Sequence, residues 1–226
     1  MKKIIVISLG GSLIVPEKID SDFLSEFKSL ITAEINHGYK FILICGGGKT
    51  ARNYQQAASV VSSIKSEDLD WLGIHATRIN AHLLRTIFRS VAESRIVTNP
   101  TVNIKFTKNL LIAAGWKPGF STDFDAVLLA KKFGAHKIIN LSNITYVHDK
   151  DPNLHKDAKQ IKEISWKNFR KLLPKRWSPG LNSPFDPIAS KEAESLGLQV
   201  NITNGQDLIN LKNCLNDEEF FGTIIK

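Results

Sequence analysis

Two apolar runs in this chain end in glycine turns. Ile4 to Leu9 leads into Gly10, Gly11 and Ser12, and Phe41 to Ile44 leads into GGGKTAR, with Lys49 and Arg52 just beyond the glycines. Amide N–H groups at a glycine turn or a helix start bind anions, and nearby cations add to that. The second turn imitates a P-loop, but that pattern needs a glycine where this chain has Leu43, so the loop is too short to wrap a phosphate in that way. A third stretch, GWKPGFSTD (115–123), carries small and hydroxyl-bearing residues straight into a helix start, where an anion is again stabilised. Two facing anion cradles suit a reaction between two phosphorylated molecules. Phosphoryl transfer needs mainly positioning and charge stabilisation, which amides, Lys49 and Arg52 can supply without a covalent nucleophile.

Each of these residues also has a plainer role. Lys49 and Arg52 fit solvated helix cations, Asp70 a surface carboxylate or cap, and Thr122 with Asp123 a cap and a first-turn acid. Asp186 reads as an N-cap with Pro187 in the first turn. Thr77 and Asn80, one helical turn apart, read as helix-surface or interface polar groups. Trp71 and Trp116 read as packing residues. His75 and His82 are seven apart and carry no metal spacing, so no metal-ligating set is expected.

The elements that must position these residues alternate. Apolar runs at 3–9, 41–44, 94–99, 109–115, 136–142 and 198–205 read as strands, with a last short one in the tail FFGTIIK. Between them lie helical patterns. The first has Phe23, Leu24, Phe27, Leu30 and Ile31 on one face, capped by Asp20 or Ser21 and closed by Gly38. Others run over 73–88, 122–134 and 185–197, and the 122–134 helix shows capping-box spacing at Thr122 and Asp125 with Gly134 at its end. Continuous apolar strands alternating with helices predict a mainly parallel sheet covered on both faces, with ligands at the strands' carboxyl ends. No internal repeat or linker divides residues 1–226, so one domain is expected, with 174–187 the candidate mobile loop.

The composition is that of an ordinary globular chain: 226 residues, 42% hydrophobic and 23% charged. The first apolar run is of strand length and ends in glycines, so neither export nor membrane insertion is expected. Cys45 and Cys214 form no framework, which points to a reducing, cytoplasmic compartment. The net charge of +8 favours anionic partners. The segment WKNFRKLLPKR (166–176) is the best support for nucleic acid, but no nucleic-acid motif accompanies it, and a solvated basic face accounts for it better.

Taken in order, SLGGS, GGGKTAR, DWLGIHATRINA, PGFSTD, the DKDP region and PFDPIASKEAESLGL resemble the amino acid kinase family, and within it the archaeal-type uridylate (UMP) kinases. The resemblance covers nearly the whole chain. It implies a three-layer αβα sandwich with about eight mainly parallel strands, phosphorylation of UMP to UDP by ATP with Mg²⁺, and a homohexamer. By position it assigns Gly10, Gly11 and Ser12 to the ATP phosphates, Gly47 to the UMP phosphate, and Gly48 to a place between the nucleotides. Arg52 would clamp phosphate oxygens of ATP with its fork of donors. Asp70 would bind the UMP ribose. Trp116, Lys117, Pro118, Gly119, Phe120, Ser121 and Thr122 would wrap UMP, and Asp123 would organise the transferring phosphoryl group. Ser142, Asn143, His148 and Asp151 would line the adenosine side, and Asp186 would approach the ATP phosphates.

Three departures stand out. Many relatives carry a lysine where this chain has Ser8, so charge must come from Lys49, Arg52 or Mg²⁺. The acceptor loop reads WKPG where relatives have THPG or TGNP. The adenosine motif reads SNITYVH for TNVDGVY, which places Thr145, Tyr146 and His148 at altered positions, and Tyr146 stands where a glycine would permit a positive φ. An isopentenyl phosphate kinase is disfavoured, because GGGKTAR lacks a histidine. The alternative of another class is a non-catalytic protein on the same fold that binds nucleotide or anions or stores a metal oxyanion, which Ser8 and SNITYVH keep open.

Overall fold

The computed structural model describes residues 3–173 and 183–226. Most of the segment expected to be mobile (174–182), and the end of the basic stretch 166–176, lie outside the described residues.

The central sheet has seven strands: β1 (Ile4–Leu9), β2 (Lys40–Cys45), β3 (Leu110–Ala113), β4 (Lys137–Ser142), β7 (Glu163–Ile164), β8 (Gln199–Asn204) and β9 (Thr223–Ile225). Their order is β3-β2-β1-β4-β8-β9-β7. The first five run parallel, β9 is antiparallel to β8, and β7 is parallel to β9. A small antiparallel pair, β5 (Val147–His148) with β6 (Gln160–Ile161), stands apart. The resemblance implied about eight strands. The expected strand at 94–99 is reduced to an isolated bridge between Val97 and Ala113, because its neighbours carry few apolar side chains to bury.

The strands are apolar on both faces, as a sheet covered on both sides requires. Ile5 and Ile7 face a layer made by α1 (Gly11–Ile14), α2 (Ser21–Asn36), α4 (Ser66–Ile87) and α8 (Leu208–Leu215). Val6 faces the opposite layer, of α5 (Thr122–Phe133), α6 (Trp166–Leu172) and α7 (Pro187–Ser195). The result is an αβα sandwich. Asp20 caps α2 by accepting from the Phe23 amide at 3.0 Å. Gly134 closes α5 at φ 66°, in the left-handed region that glycine adopts without strain.

Two helix starts differ from expectation. The cap of α5 is Ser121, accepting from the Phe124 amide at 3.2 Å, so Thr122 is the first helical residue and Asp125 turns inward. The helix expected at 73–88 begins at Ser66, and thereby takes in Asp70. The remaining helix, α3 (Gly48–Val61), has no fully buried residue and packs chiefly along α4. Among the described residues, no helix is long and apolar enough to cross a membrane.

Candidate active site

Parallel strands β1, β2 and β4 end together, and their carboxyl ends carry the glycine turns. β1 and β2 are in register from Ile4 with Lys40 to Leu9 with Cys45, so their two turns leave the sheet side by side. They touch backbone to backbone. A Cβ on Gly11 would lie 2.6 Å from the Gly46 carbonyl carbon and 2.7 Å from that of Gly47, which no side chain permits. Gly48 has φ 62° and packs on the Gly11 carbonyl. Both turns are pinned to the sheet: Gly10 donates to the Leu141 carbonyl and Gly46 to the Leu9 carbonyl, each at 2.9 Å. The amides of Gly11, Ser12, Gly47 and Gly48 find no acceptor among the described residues. Four adjacent donors at two touching turns form an anion site of the kind the sequence suggests. Gly10 shapes its turn but has no amide to offer a phosphate.

A cleft of about 470 Å³ opens over these turns. Ser8, Gly10, Gly11 and Asp123 line it together with Ser142, Asn143, His148 and Asp151. Tyr146 also lines it, and does so without the positive φ that a glycine would have allowed: Asp217 is the only non-glycine residue at positive φ among the described residues. The loop is thus built for a side chain at 146. Asp151 organises its own turn, accepting from the Asn153 amide at 2.9 Å.

The cleft floor is acidic. Ser8 donates to Asp123 Oδ1 at 3.0 Å, and the Asp186 amide donates to Asp123 Oδ2 at 3.2 Å. Asp186 caps α7 through the Ala189 amide at 2.7 Å, as its place before Pro187 predicts. Burial pushes the Asp123 carboxyl up to about 7, and the Asp186 carboxylate adds to the rise. Asp186 is also raised, by burial. Its Oδ2 is buried with no partner among the described residues.

Apart from Thr122, which lines this cleft, the residues assigned to the acceptor lie outside it. Gly119, at φ 86°, donates to Asp70 Oδ2 at 2.9 Å, which ties the loop to the start of α4. Trp116, Phe120 and Phe124 stack in sequence with centroids 5.3 and 4.8 Å apart, and the Lys117 ammonium lies 4.1 Å from the Trp116 ring centroid. Pro118 lies between Lys117 and Gly119, and Ser121 and Thr122 begin α5.

The two candidate cations are placed differently. The Lys49 ammonium pairs with Glu17 at 3.1 Å, and its amide donates to Val15. Arg52 is exposed on α3 and has no hydrogen bond or ion pair among the described residues. Neither lines the cleft.

Four residues that position the site were missed in the sequence. Thr77 and Asn80 are buried, not surface groups. Thr77 accepts from the Gly115 amide at 2.8 Å, and Asn80 donates to the Gly46 and Gly47 carbonyls at 2.8 and 3.3 Å. Arg78 donates to the Trp116 carbonyl at 3.0 Å, and Asp125 accepts from the Trp116 amide at 3.1 Å. The signal was present: three polar residues at 77, 78 and 80 interrupt the apolar positions Ile74, Ala76, Ala81 and Leu84 of one helix.

Comparison with known proteins agrees with this geometry. The model of the amino acid kinase family matches residues 3–204. A uridylate kinase of Thermoplasma volcanium is 32% identical over 231 aligned positions, covering 100% of this chain and 99% of that protein. One from Methanobrevibacter smithii is 31% identical, covering 95% and 96%. The crystal structure of uridylate kinase from Archaeoglobus fulgidus superposes with a TM-score of 0.84 at 27% identity and covers the whole of both chains. With twinned glycine turns at the carboxyl edge of an αβα sandwich and matches of this extent, the chain belongs to the amino acid kinase family.

Proposed function

We propose that this protein transfers a phosphoryl group from ATP to UMP. The observation that carries the reading is the contact between the two glycine turns, with unpaired amides of Gly11, Ser12, Gly47 and Gly48 side by side. It is supported by relatives over 30% identical along their full length that are named uridylate kinases.

In this reading ATP occupies the cleft, with its phosphates over Gly11 and Ser12 and its adenosine towards Ser142, Asn143, His148 and Asp151. UMP occupies the side bounded by Gly47, Asp70 and residues 116–122. A UMP phosphate oxygen attacks the γ-phosphoryl group in line, and the bond from that phosphorus to the bridging oxygen of ADP breaks. Amides of both turns stabilise the charge that develops on the transferring group, a task suited to preorganised donors. Arg52 swings over the phosphates from α3. Lys49 is bound to Glu17 and serves the turn more than the charge. No general base is required, because the attacking phosphate oxygen is already ionised.

The acidic floor fits Mg²⁺ carried with ATP. Asp123 and Asp186 are hard oxygen donors, the charge of Asp186 helps to raise Asp123, and Asp186 Oδ2 is a buried oxygen in want of a partner. A divalent cation bound there supplies charge neutralisation for the phosphates.

The proposal extends to one domain over 1–226, a cytoplasmic location and a homo-oligomer, a hexamer by resemblance. Exposed Tyr54, Val60 and Val61 on α3 support the last point. The alternative of oxyanion storage gains no observation of its own. The test is ADP release from Mg·ATP with UMP, CMP, AMP, isopentenyl phosphate or no acceptor. UMP alone is expected to stimulate it. A folded protein that turns over none of them would sink the proposal.

A further inference from the structure

We propose that Arg78 and Asp125 are positioning residues for the acceptor: together they grip the Trp116 peptide group and so set where the 116–120 loop meets UMP. The grip is two-sided. Asp125 Oδ2 accepts from the Trp116 N–H at 3.1 Å, while Arg78 Nη2 donates to the Trp116 carbonyl at 3.0 Å and also reaches that of Gly115 at 3.4 Å. Thr77 Oγ1 holds the Gly115 amide just before them. The two clamping side chains come from different helices, α4 and α5, so the loop is fixed relative to both.

Several features say that this peptide needs holding. Gly119 has φ 86° and nothing within 4 Å of where a Cβ would stand, so the loop tip gains no steric support there. Its other hydrogen-bonded tether is the Gly119 amide on Asp70, a residue that also has to serve the acceptor. Asp125 is 1% exposed, and a carboxylate is not buried to that degree without something to hold. Burial pushes the Asp125 carboxyl up, and the Trp116 amide and, to a smaller extent, Arg78 work against that rise. Both hydrogen bonds of Arg78 leave the single nitrogen Nη2, which the long side chain and rigid guanidinium plane carry to the two carbonyls. A displacement of about 1 Å in such a loop is enough to cost roughly a hundredfold in rate.

The inference rests on the acceptor reading of residues 116–122, and its test separates the two. Arg78→Lys keeps the charge and loses Nη2 with its rigid planar support, and Asp125→Ala removes the acceptor atom. Amide hydrogen exchange, read by peptide mass, is compared with KM for each substrate. In both variants, exchange over 115–121 is expected to accelerate while 4–14 stays as in the wild type. KM for UMP should rise about tenfold, with KM for ATP within about twofold. Asp125→Asn, which retains an oxygen acceptor, should restore most of the loss. Unchanged exchange over 115–121, or equal rises in both KM values, would overturn the clamp. If Asp125→Ala does not fold, Arg78→Lys decides. A wild type without UMP-dependent ADP release removes the acceptor reading alone, since exchange still reports on the clamp.

Discussion

Gly11→Ala tests whether contact between the two turns is what makes the site. The new methyl carbon would stand 2.0 Å from the Gly48 nitrogen, and 2.6 and 2.7 Å from the carbonyl carbons of Gly46 and Gly47. Non-bonded heavy atoms rest at about 3.5–4.0 Å, so the turns must part by roughly 1–1.5 Å. The neighbours are backbone and cannot rotate away. Both turns are tethered at 2.9 Å to the sheet, so separation breaks or bends those bonds. Overpacking of this kind costs about 1–3 kcal/mol, or a few degrees in Tm for every kcal/mol at this chain length, roughly 2–4 °C. The effect on rate is expected to be far larger, about a hundredfold for amides displaced by some 1 Å. Initial rates of ADP release at saturating ATP and UMP, beside calorimetric Tm, measure both. Gly38→Ala is the control. Gly38 has φ 100° with open space around it, so alanine there is strained by about 1–2 kcal/mol and leaves kcat unchanged. If folded Gly11→Ala turns over within about threefold of the wild type, the facing turns are not the phosphate site.

The acid limb of kcat/KM for Mg·ATP, which reports the free enzyme, should follow Asp123, whose carboxyl is pushed up to about 7. This ratio is expected to fall below that pH, and a flat profile from pH 8 to about 5.5 would refute the role. Stability moves the other way: the folded carboxyl holds its proton where the unfolded one has lost it, so its contribution declines as pH rises from 3.8 to about 7. Asp123→Asn should therefore raise Tm at pH 8 while abolishing turnover, and an unchanged or lower Tm would contradict the burial argument. Arg52→Ala removes an exposed side chain, so Tm should hold while turnover drops severely; near-normal rates would take Arg52 out of the mechanism. Asp70→Asn can still accept from Gly119, so it should raise the UMP KM less than Asp70→Ala, which also frees the loop. Equal effects would mean that Asp70 acts by charge alone.

The architecture was legible because its causes are local. Continuous apolar strands with glycine ends read as a covered parallel sheet, and caps such as Asp20, Gly134 and Asp186 mark helix ends through their own backbone bonds. The turns could be read for the same reason. What could not be read depends on partners far away in sequence. Asn80 looks like any polar residue on a helix until its carboxamide is seen 2.8 Å from the Gly46 carbonyl, 34 positions earlier. Asp125 has capping-box spacing to Thr122, yet Ser121 takes the cap and Asp125 is drawn inward by the Trp116 amide. Lys49 follows the glycines as a phosphate-binding lysine would, but Glu17 stands within reach and pairs with it. A sequence pattern gives the residue type a loop requires, whereas the direction of a long side chain is settled by whichever charge lies nearest.

The first-strand position shows how the floor of the cleft is tuned. The register of β1 sets Ser8 beside Ile44 on one side and Asn140 on the other, with its hydroxyl on Asp123. A hydroxyl offers Asp123 a hydrogen bond but no positive charge, so it offsets only part of what burial and Asp186 do to that carboxyl. Ser8 lines the cleft, so a longer side chain there has open space to extend into. An ammonium beside Asp123 and Asp186 favours their ionised forms and lowers both titrations. Ser8→Lys should therefore move the acid limb of the rate profile to lower pH by about one unit or more, since each unit corresponds to about 1.4 kcal/mol of charge interaction. Profiles of kcat/KM for Mg·ATP of the two proteins, from pH 5 to about 9, make the comparison. An acid limb that stays in place would mean that Asp123 does not govern it. A limb that moves to higher pH would reverse the sign of the electrostatic argument and place the new ammonium away from the acidic pair.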